Sequence, residues 1–339
     1  MSGTAMPGHV LAAGAPWLAD ARQKVAAALA AGRLPHALLL HGRPGVGKAA
    51  LAEYIARLVL CDQPTDVPCG SCQSCLLLDA GNHPDLRHVG LVDEKKQIAV
   101  DDVRALIGEL ALKSYRGGRK VAIIDPADAL NTNGANALLK TLEEPGGGAL
   151  LILTVARPDR LPATIASRCQ RLAILPPPQS AALEWLARFD PTVEWRGLLA
   201  LAAGAPVAAL ALAGRDALAL EAEMADVPAL LARPDTDLVG LGERLNQRLP
   251  AERLRWIENW VTDRIRRGLG AGAQGHSLPN SGLPSAARTR HIQALYAILD
   301  ELRSAQAALR GPANAALLWE RVLGLIAREL NAVRLARPR

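Results

Sequence analysis

Two groups of residues in this chain have types and spacings that could do chemistry. The first is Gly42-Arg43-Pro44-Gly45-Val46-Gly47-Lys48-Ala49, which follows the pattern G-x-x-x-x-G-K-[ST] up to its last position. In such a loop successive backbone N–H groups point at phosphate oxygens, and the following helix adds its positive end. Gly42, Gly45 and Gly47 let the backbone turn and come close to a nucleotide, and Lys48 would neutralise the β- and γ-phosphates. A Ser or Thr after the lysine normally offers an oxygen to Mg²⁺, whereas Ala49 offers a methyl group. The second group is Cys61, Cys69, Cys72 and Cys75, spaced C-x7-C-x2-C-x2-C. Four thiolates so close together can close a tetrahedral zinc site with Zn–S distances of about 2.3 Å. Disulfides are a poor alternative in a reducing compartment, and an iron–sulfur cluster lacks any other sign of electron transfer. A closed site of four cysteines leaves no open position, so the expected role is structural. Cys169 lies outside the cluster and reads as a small buried residue.

The elements that must position these groups are legible around them. Ala37-Leu38-Leu39-Leu40 is a short apolar run entering the glycine loop, and residues 49–61 follow with helical periodicity. Residues 17–31 read as an earlier helix, and Asp101 or Asp102 as the cap of a helix that carries Val103, Leu106, Ile107 and Leu110. Lys120-Val121-Ala122-Ile123-Ile124-Asp125 reads as a buried strand ending in a carboxylate, and Leu150 to Thr154 as another. Between them residues 133–144 form a helix closed by Pro145 and three glycines. Strands separated by helices predict a parallel sheet with helices on both faces. In P-loop ATPases the strand aspartate serves the metal and a following glutamate activates water. Here Pro126 follows Asp125, and Asp128 falls in the next turn. Losing a positioned general base costs roughly 10²–10⁴-fold in rate. The chain should not hydrolyse ATP efficiently, while the residues leave open whether the loop still holds a nucleotide.

After Pro176-Pro177-Pro178 the character becomes helical. Short helices are expected over 180–189, 195–203 and 206–213, and a longer helical region from Asp216. Stripes at helical spacing follow: Leu254, Ile257, Val261 and Ile265, then Ile292, Leu295, Leu299 and Leu302, then Leu318, Val322, Leu325, Ile326 and Leu330. Residues 270–285 are rich in Gly, Pro, Ser and Asn and read as a mobile loop.

The 339 residues suffice for two or three domains, and 50% hydrophobic with 21% charged residues describes a globular chain. Aromatics are only 3%, so Leu, Ala and Val build the core. The net charge of +6 is spread along the chain, which fits a solvated basic surface at least as well as a nucleic-acid face. Without a long apolar run or a signal-peptide pattern, no membrane contact and a cytoplasmic location are expected.

Several strings, in this order, carry a family resemblance: Arg33-Leu34-Pro35-His36-Ala37, the four cysteines, His83-Pro84-Asp85, Asn136 through Leu142-Glu143-Glu144-Pro145, and Ser167-Arg168-Cys169. Over about the first 210 residues the chain resembles the AAA+ clamp-loader family of bacterial DNA polymerase III. The resemblance implies an α/β AAA+ P-loop module with a zinc-binding insertion (1–174, cysteines at 61–75), a three-helix lid (175–214) and an all-helical collar for oligomerisation (215–339). It implies that Arg168 is an arginine finger acting on ATP and Mg²⁺ of an adjacent subunit. Without the family Arg168 would read as a surface or helix-end arginine. Thr154 matches a sensor position, or is a strand-end hydroxyl satisfying backbone groups. Lys140 and Glu144 form an i,i+4 pair, by itself worth only a few tenths of a kcal/mol.

The ATPase-active gamma and tau members keep a hydroxyl after the loop lysine, an acidic residue after the strand aspartate and a sensor arginine in the lid. This chain has Ala49, Pro126 and Val207 there, so the resemblance implies a non-hydrolysing member of the family. The implied partners are gamma/tau and delta subunits in a hetero-pentameric ring that loads the sliding clamp onto primer–template DNA. The nucleotidyltransferase activity of that DNA-directed DNA polymerase assembly lies in another chain. Two other functions fit parts of the pattern. One is an active gamma/tau-like ATPase with a substitute Mg²⁺ ligand. The other is a zinc-bearing nucleic-acid-binding protein with a vestigial P-loop, for which the stacking aromatics are scarce.

Overall fold

The structure is a computed structural model and describes residues 8–92, 97–144, 148–213, 217–269, 285–309 and 315–335. The expected closure at Pro145 to Gly147 and nearly all of the loop expected at 270–285 lie outside the described residues. The chain divides into two compact units, Met1–Pro191 with Ala205–Ala208, and Thr192–Gly204 with Ala209–Arg339. The segment 175–214 is thus shared between them.

The first unit opens with helices α1 (Gly8–Gly14) and α2 (Ala19–Ala30), then strand β1 (Ala37–His41) and helix α3 (Lys48–Leu60). Helix α4 (Gln73–Asp79), strand β2 (Leu86–Gly90) and helix α5 (Val100–Ala111) follow. Strand β3 (Lys120–Asp125), helix α6 (Thr132–Glu143), strand β4 (Ala149–Val155), helix α7 (Ala163–Ala166), strand β5 (Gln170–Ala173) and helix α8 (Gln179–Ala187) complete the run. The five strands form one sheet in the order β2-β3-β4-β1-β5, parallel throughout. Central strands β1, β3 and β4 are buried along almost their whole length, as their unbroken apolar runs require. Alternate residues serve opposite faces. Leu39, Ala122, Ile124, Leu151 and Leu153 pack with Val103, Leu106, Leu138 and Leu142 of α5 and α6. Leu38, Leu40, Val121, Ile123, Leu150 and Ile152 are buried too, and α3, with Leu51, Ile55 and Leu58, packs on β1, β3 and β4.

Local departures from the sequence expectation have simple causes. The edge strands β2 and β5 escaped notice because Arg87, His88, Gln170 and Arg171 sit exposed in them. Asp101 and Asp102 do not cap α5. Its N-cap is Ala99 with no side-chain bond, and both aspartates lie in the first turn, where they face the positive end of the helix. Helix α6 does have a side-chain cap: Asn131 accepts from the Gly134 amide at 2.7 Å.

The second unit is helical among the described residues. It holds α9 (Trp195–Leu201), the greater part of α10 (Pro206–Leu212), α11 (Ala217–Leu231), α12 (Leu238–Gln247), α13 (Pro250–Gly268), α14 (Ser285–Ala308) and α15 (Ala315–Leu335). The stripe Leu254, Ile257, Val261 and Ile265 is buried as its spacing demands. In α15 the buried face is rotated from the expected one. Trp319, Val322, Leu323 and Ile326 line the core, while Leu318, Leu325 and Leu330 are only half-buried. The large Trp319 indole takes the central place and bonds Asn246 through Nε1 at 3.2 Å. In α14 the inward turn beside Leu295 belongs to His291, paired with Glu329, rather than to Ile292. Among the described residues no single helix is long and apolar enough to cross a membrane.

Candidate functional site

The glycine loop leaves the C-terminal end of β1, an interior strand between β4 and the edge strand β5. Strand β4 lies next to it and β3 beyond, so the order of strands brings Thr154 and Asp125 towards the loop. This is the crevice where open parallel sheets bind ligands. Lys48 begins α3 and is almost fully buried, and its Nζ donates to the carbonyls of Gly42 and Arg43, both at 2.9 Å. Burial pushes its pKa down, and the carboxylates of Asp125 and Asp128 partly restore it. The Lys48 ammonium therefore closes the loop on itself.

Other segments of the first unit seal the loop from outside. The amides of Val207 and Ala208 donate to the Gly45 carbonyl at 3.0 and 3.2 Å. Trp17 Nε1 donates to the Val46 carbonyl at 2.8 Å. Gly45 has φ +74°, and a Cβ built there would stand 2.3 Å from the Cβ of Ala208. At Gly42 a Cβ would meet the Ile174 carbonyl oxygen at 2.2 Å. Val207, the position where the resemblance marks a lost lid arginine, thus lies against the loop through its own backbone.

Thr154 is fully buried, and its hydroxyl donates to the Asp125 carboxylate. The hydroxyl that matched a sensor position is spent on the strand carboxylate. Asp128 sits in the short turn Ala127–Ala129 and accepts the Arg157 amide at 3.2 Å through Oδ2. Its carboxylate is thereby tied to the turn after β4. The structure brings Gly42, Gly45, Gly47, Lys48, Asp125 and Thr154 to one end of the sheet, and it leaves Arg168 elsewhere.

Arg168 follows α7. Nη1 donates to the Thr164 carbonyl at 2.9 Å, and Nη2 to Glu143 Oε1 at 2.6 Å. About a third of the Arg168 side chain and half of that of Glu143 are exposed. Among the described residues this is the ion pair at the end of α6, and no Lys140–Glu144 bridge is present. Cys169, next in the chain, is buried away from the other cysteines, and burial pushes its thiol up to about 11.

The four clustered sulfurs lie within 4.8 Å of one another, with Cys61 to Cys72 at 3.9 Å and Cys69 to Cys75 at 4.0 Å. A tetrahedron of zinc thiolates has S···S edges of about 3.8 Å, so the residues fit a metal of that kind. Backbone N–H groups point at the sulfurs: Cys69 to Cys61 at 3.4 Å, Cys72 to Cys69 at 3.3 Å, Cys75 to Cys72 at 3.4 Å. Such donors stabilise thiolates. The amides of Ser71 and Cys72 draw the Cys69 pKa down to about 6, while burial pushes Cys61 and Cys75 up.

The module is tied to the sheet by residues that sequence reading passed over. Ser74 donates to Asp62 at 2.7 Å. Arg116 reaches Ser74 Oγ at 2.9 Å, Gln73 Oε1 at 3.2 Å and Asp62 Oδ2 at 3.3 Å. The turn that carries Arg116 is held by Asp85, which accepts from Ser114 Oγ and the Tyr115 N–H at 2.9 Å and the Arg116 N–H at 3.1 Å. The string His83-Pro84-Asp85 is therefore a buried strut, with His83 Nδ1 accepting the Asp85 amide at 3.1 Å. No local spacing signals this network, because its members lie up to 54 positions apart.

A phosphate loop on an interior strand, with a hydroxyl and a carboxylate on the next two strands, defines a P-loop ATPase-type module, here with a methyl group at Ala49 and proline after Asp125. Residues 18–178 match the family model described as DNA polymerase III, delta subunit. The chain is 40% identical to the DNA polymerase III subunit delta' of Pseudomonas aeruginosa, covering 72% of this chain and 75% of that one. It is 38% identical to subunit delta' of Escherichia coli, covering 76% and 77%. With subunit tau of Salmonella typhimurium the identity is also 38%, but over 42% of this chain and 22% of that one. The chain belongs to the family of DNA polymerase III delta-prime subunits.

Proposed function

We propose that this subunit is a non-hydrolysing stator that lends Arg168 to ATP bound by an adjacent subunit. The observation that carries the reading is the contrast between its two candidate groups. The phosphate loop is bonded shut by its own chain, through Lys48 on the Gly42 and Arg43 carbonyls and the Val207 and Ala208 amides on Gly45. The Arg168 guanidinium, by contrast, remains partly open to solvent. A planar, permanently charged guanidinium suits the charge spread over a phosphoryl group in transfer. Ala49, Pro126 and the Thr154–Asp125 bond leave the chain's own site without a metal hydroxyl ligand, a water-activating carboxylate or a free sensor hydroxyl.

In this reading the partners are gamma/tau and delta subunits in a hetero-pentameric ring, and the ring loads the sliding clamp onto primer–template DNA. Residues 1–174 serve as the ATPase-like module, 175–214 as the lid and 215–339 as the collar. Cys61, Cys69, Cys72 and Cys75 hold a structural zinc, which ties the segment after α3 to α4 and supplies no catalytic step. Arg168→Ala in the reconstituted complex should lower the ATPase rate substantially while the complex still elutes intact. The chain alone should show no ATPase activity. Brisk turnover by the isolated chain, or an unchanged rate with Arg168→Ala, would overturn the stator reading.

A further inference from the structure

Arg168 does not wait in open solvent. Its guanidinium is docked on two acceptors of its own chain, the Glu143 carboxylate at the last residue of α6 and the Thr164 carbonyl in α7. We infer that Glu143 is a clasp: it holds the Arg168 guanidinium at home until the phosphate of a neighbouring subunit's nucleotide takes its place. The inference rests on reading Arg168 as the arginine finger.

The argument is one of charge. A guanidinium has five N–H donors, and only two are engaged here. Donor count would allow a phosphate to join, but the electrostatics oppose it. At 2.6 Å the Glu143 oxygen already sits where a phosphate oxygen would accept, and it neutralises the cation. A second anion brought to the same guanidinium meets the repulsion of the first. The two are therefore alternatives. Glu143 also stands at the C-terminal end of α6, where the helix's partial negative charge disfavours a carboxylate and favours a cation beside it. The helix itself gains little from an acid there, whereas the acid gains from Arg168. Arg168 is about a third exposed and Glu143 about half, so solvent screens the pair, the clasp is weak and exchange is easy. Glu143 acts through Arg168 and is a positioning residue, not a catalytic one.

The test measures steady-state ATPase against ATP concentration in the reconstituted clamp-loader complex. Glu143→Gln keeps the shape and removes the charge. It should lower the apparent KM for ATP about two- to fivefold, the range expected of an exposed ion pair, without lowering kcat. Glu143→Asp, which restores the charge, should return KM towards the wild-type value. Arg168→Ala should lower kcat and make a second substitution at Glu143 silent. If Arg168→Ala lowers the rate but Glu143→Gln leaves KM unchanged or raises it, the clasp is refuted and the finger stands. An unchanged rate with Arg168→Ala removes the finger reading and the clasp together.

Discussion

Lys48 offers the sharpest separation between a loop that holds nucleotide and one that is closed on itself. In the structure its ammonium is nearly buried and bonds two loop carbonyls at 2.9 Å. A hydrogen bond from a charged group contributes about 1.5–3 kcal/mol, and burying the ammonium offsets part of the pair. Lys48→Ala should therefore cost about 2 kcal/mol even with no nucleotide present. For a unit of this size 1 kcal/mol moves Tm by about 2–4 °C, so calorimetry should show a fall of roughly 4–8 °C. Mg²⁺ and ATP at millimolar concentration should leave the wild-type Tm in place. A ligand at one hundred times its Kd would instead stabilise by about 2.7 kcal/mol, a rise of roughly 5–11 °C at the same slope. If the wild type rises by that much, and Lys48→Ala abolishes the rise without moving the nucleotide-free Tm, the loop is a working site and the closure argument is wrong.

Other measurements address the rest of the molecule. Metal analysis of the purified chain should find one zinc per molecule, and Cys75→Ala should lose it together with protection of residues 61–79 from proteolysis; full occupancy in that variant would refute the four-thiolate site. Asp85→Asn should destabilise the chain by about 2–4 kcal/mol, since a buried carboxylate that accepts three bonds becomes an amide facing N–H donors. Burial opposes ionisation of Asp85, yet the Tyr115 amide, the Ser114 hydroxyl and the Arg116 amide together hold its pKa below the ordinary value. A depressed folded pKa means stability that is present above the unfolded pKa of about 3.9 and lost as pH falls through the folded value. Acid titration of stability should lose this component in Asp85→Asn, and identical acid profiles for the two proteins would contradict it.

How far the chain could be read beforehand depended on the range of the interaction. The glycine loop, its missing hydroxyl at Ala49 and the proline after Asp125 are consecutive residues, so their chemistry was open to direct reading. The cysteines lie within one short segment, and their spacing already limits the geometry. Buried central strands announce themselves by unbroken apolar runs. The edge strands β2 and β5 do not, because one side of each meets solvent and carries Arg87 or Arg171. The face of α15 shifted because periodicity locates a stripe but cannot say whether Trp319 or Leu318 reaches deepest.

Sequence alone determined the buried central strands and most of the helices, the degenerate loop, the metal-binding pattern and, through ordered strings, the family. Tertiary structure alone decided what each charged group touches. Lys48 turned inward to its own carbonyls, the Thr154 hydroxyl went to Asp125, Asp85 proved to be a strut, and Arg168 settled on Glu143. The physical reason is distance along the chain. Periodicity and turn chemistry act over a few residues, whereas the bonds of Thr154, Asp85 and Arg168 join positions 25 to 31 apart and that of Arg116 with Asp62 positions 54 apart, and only the packed sheet brings them together; Lys48 stands only 5 and 6 positions from its two acceptors, and the path of the loop itself turns it inward.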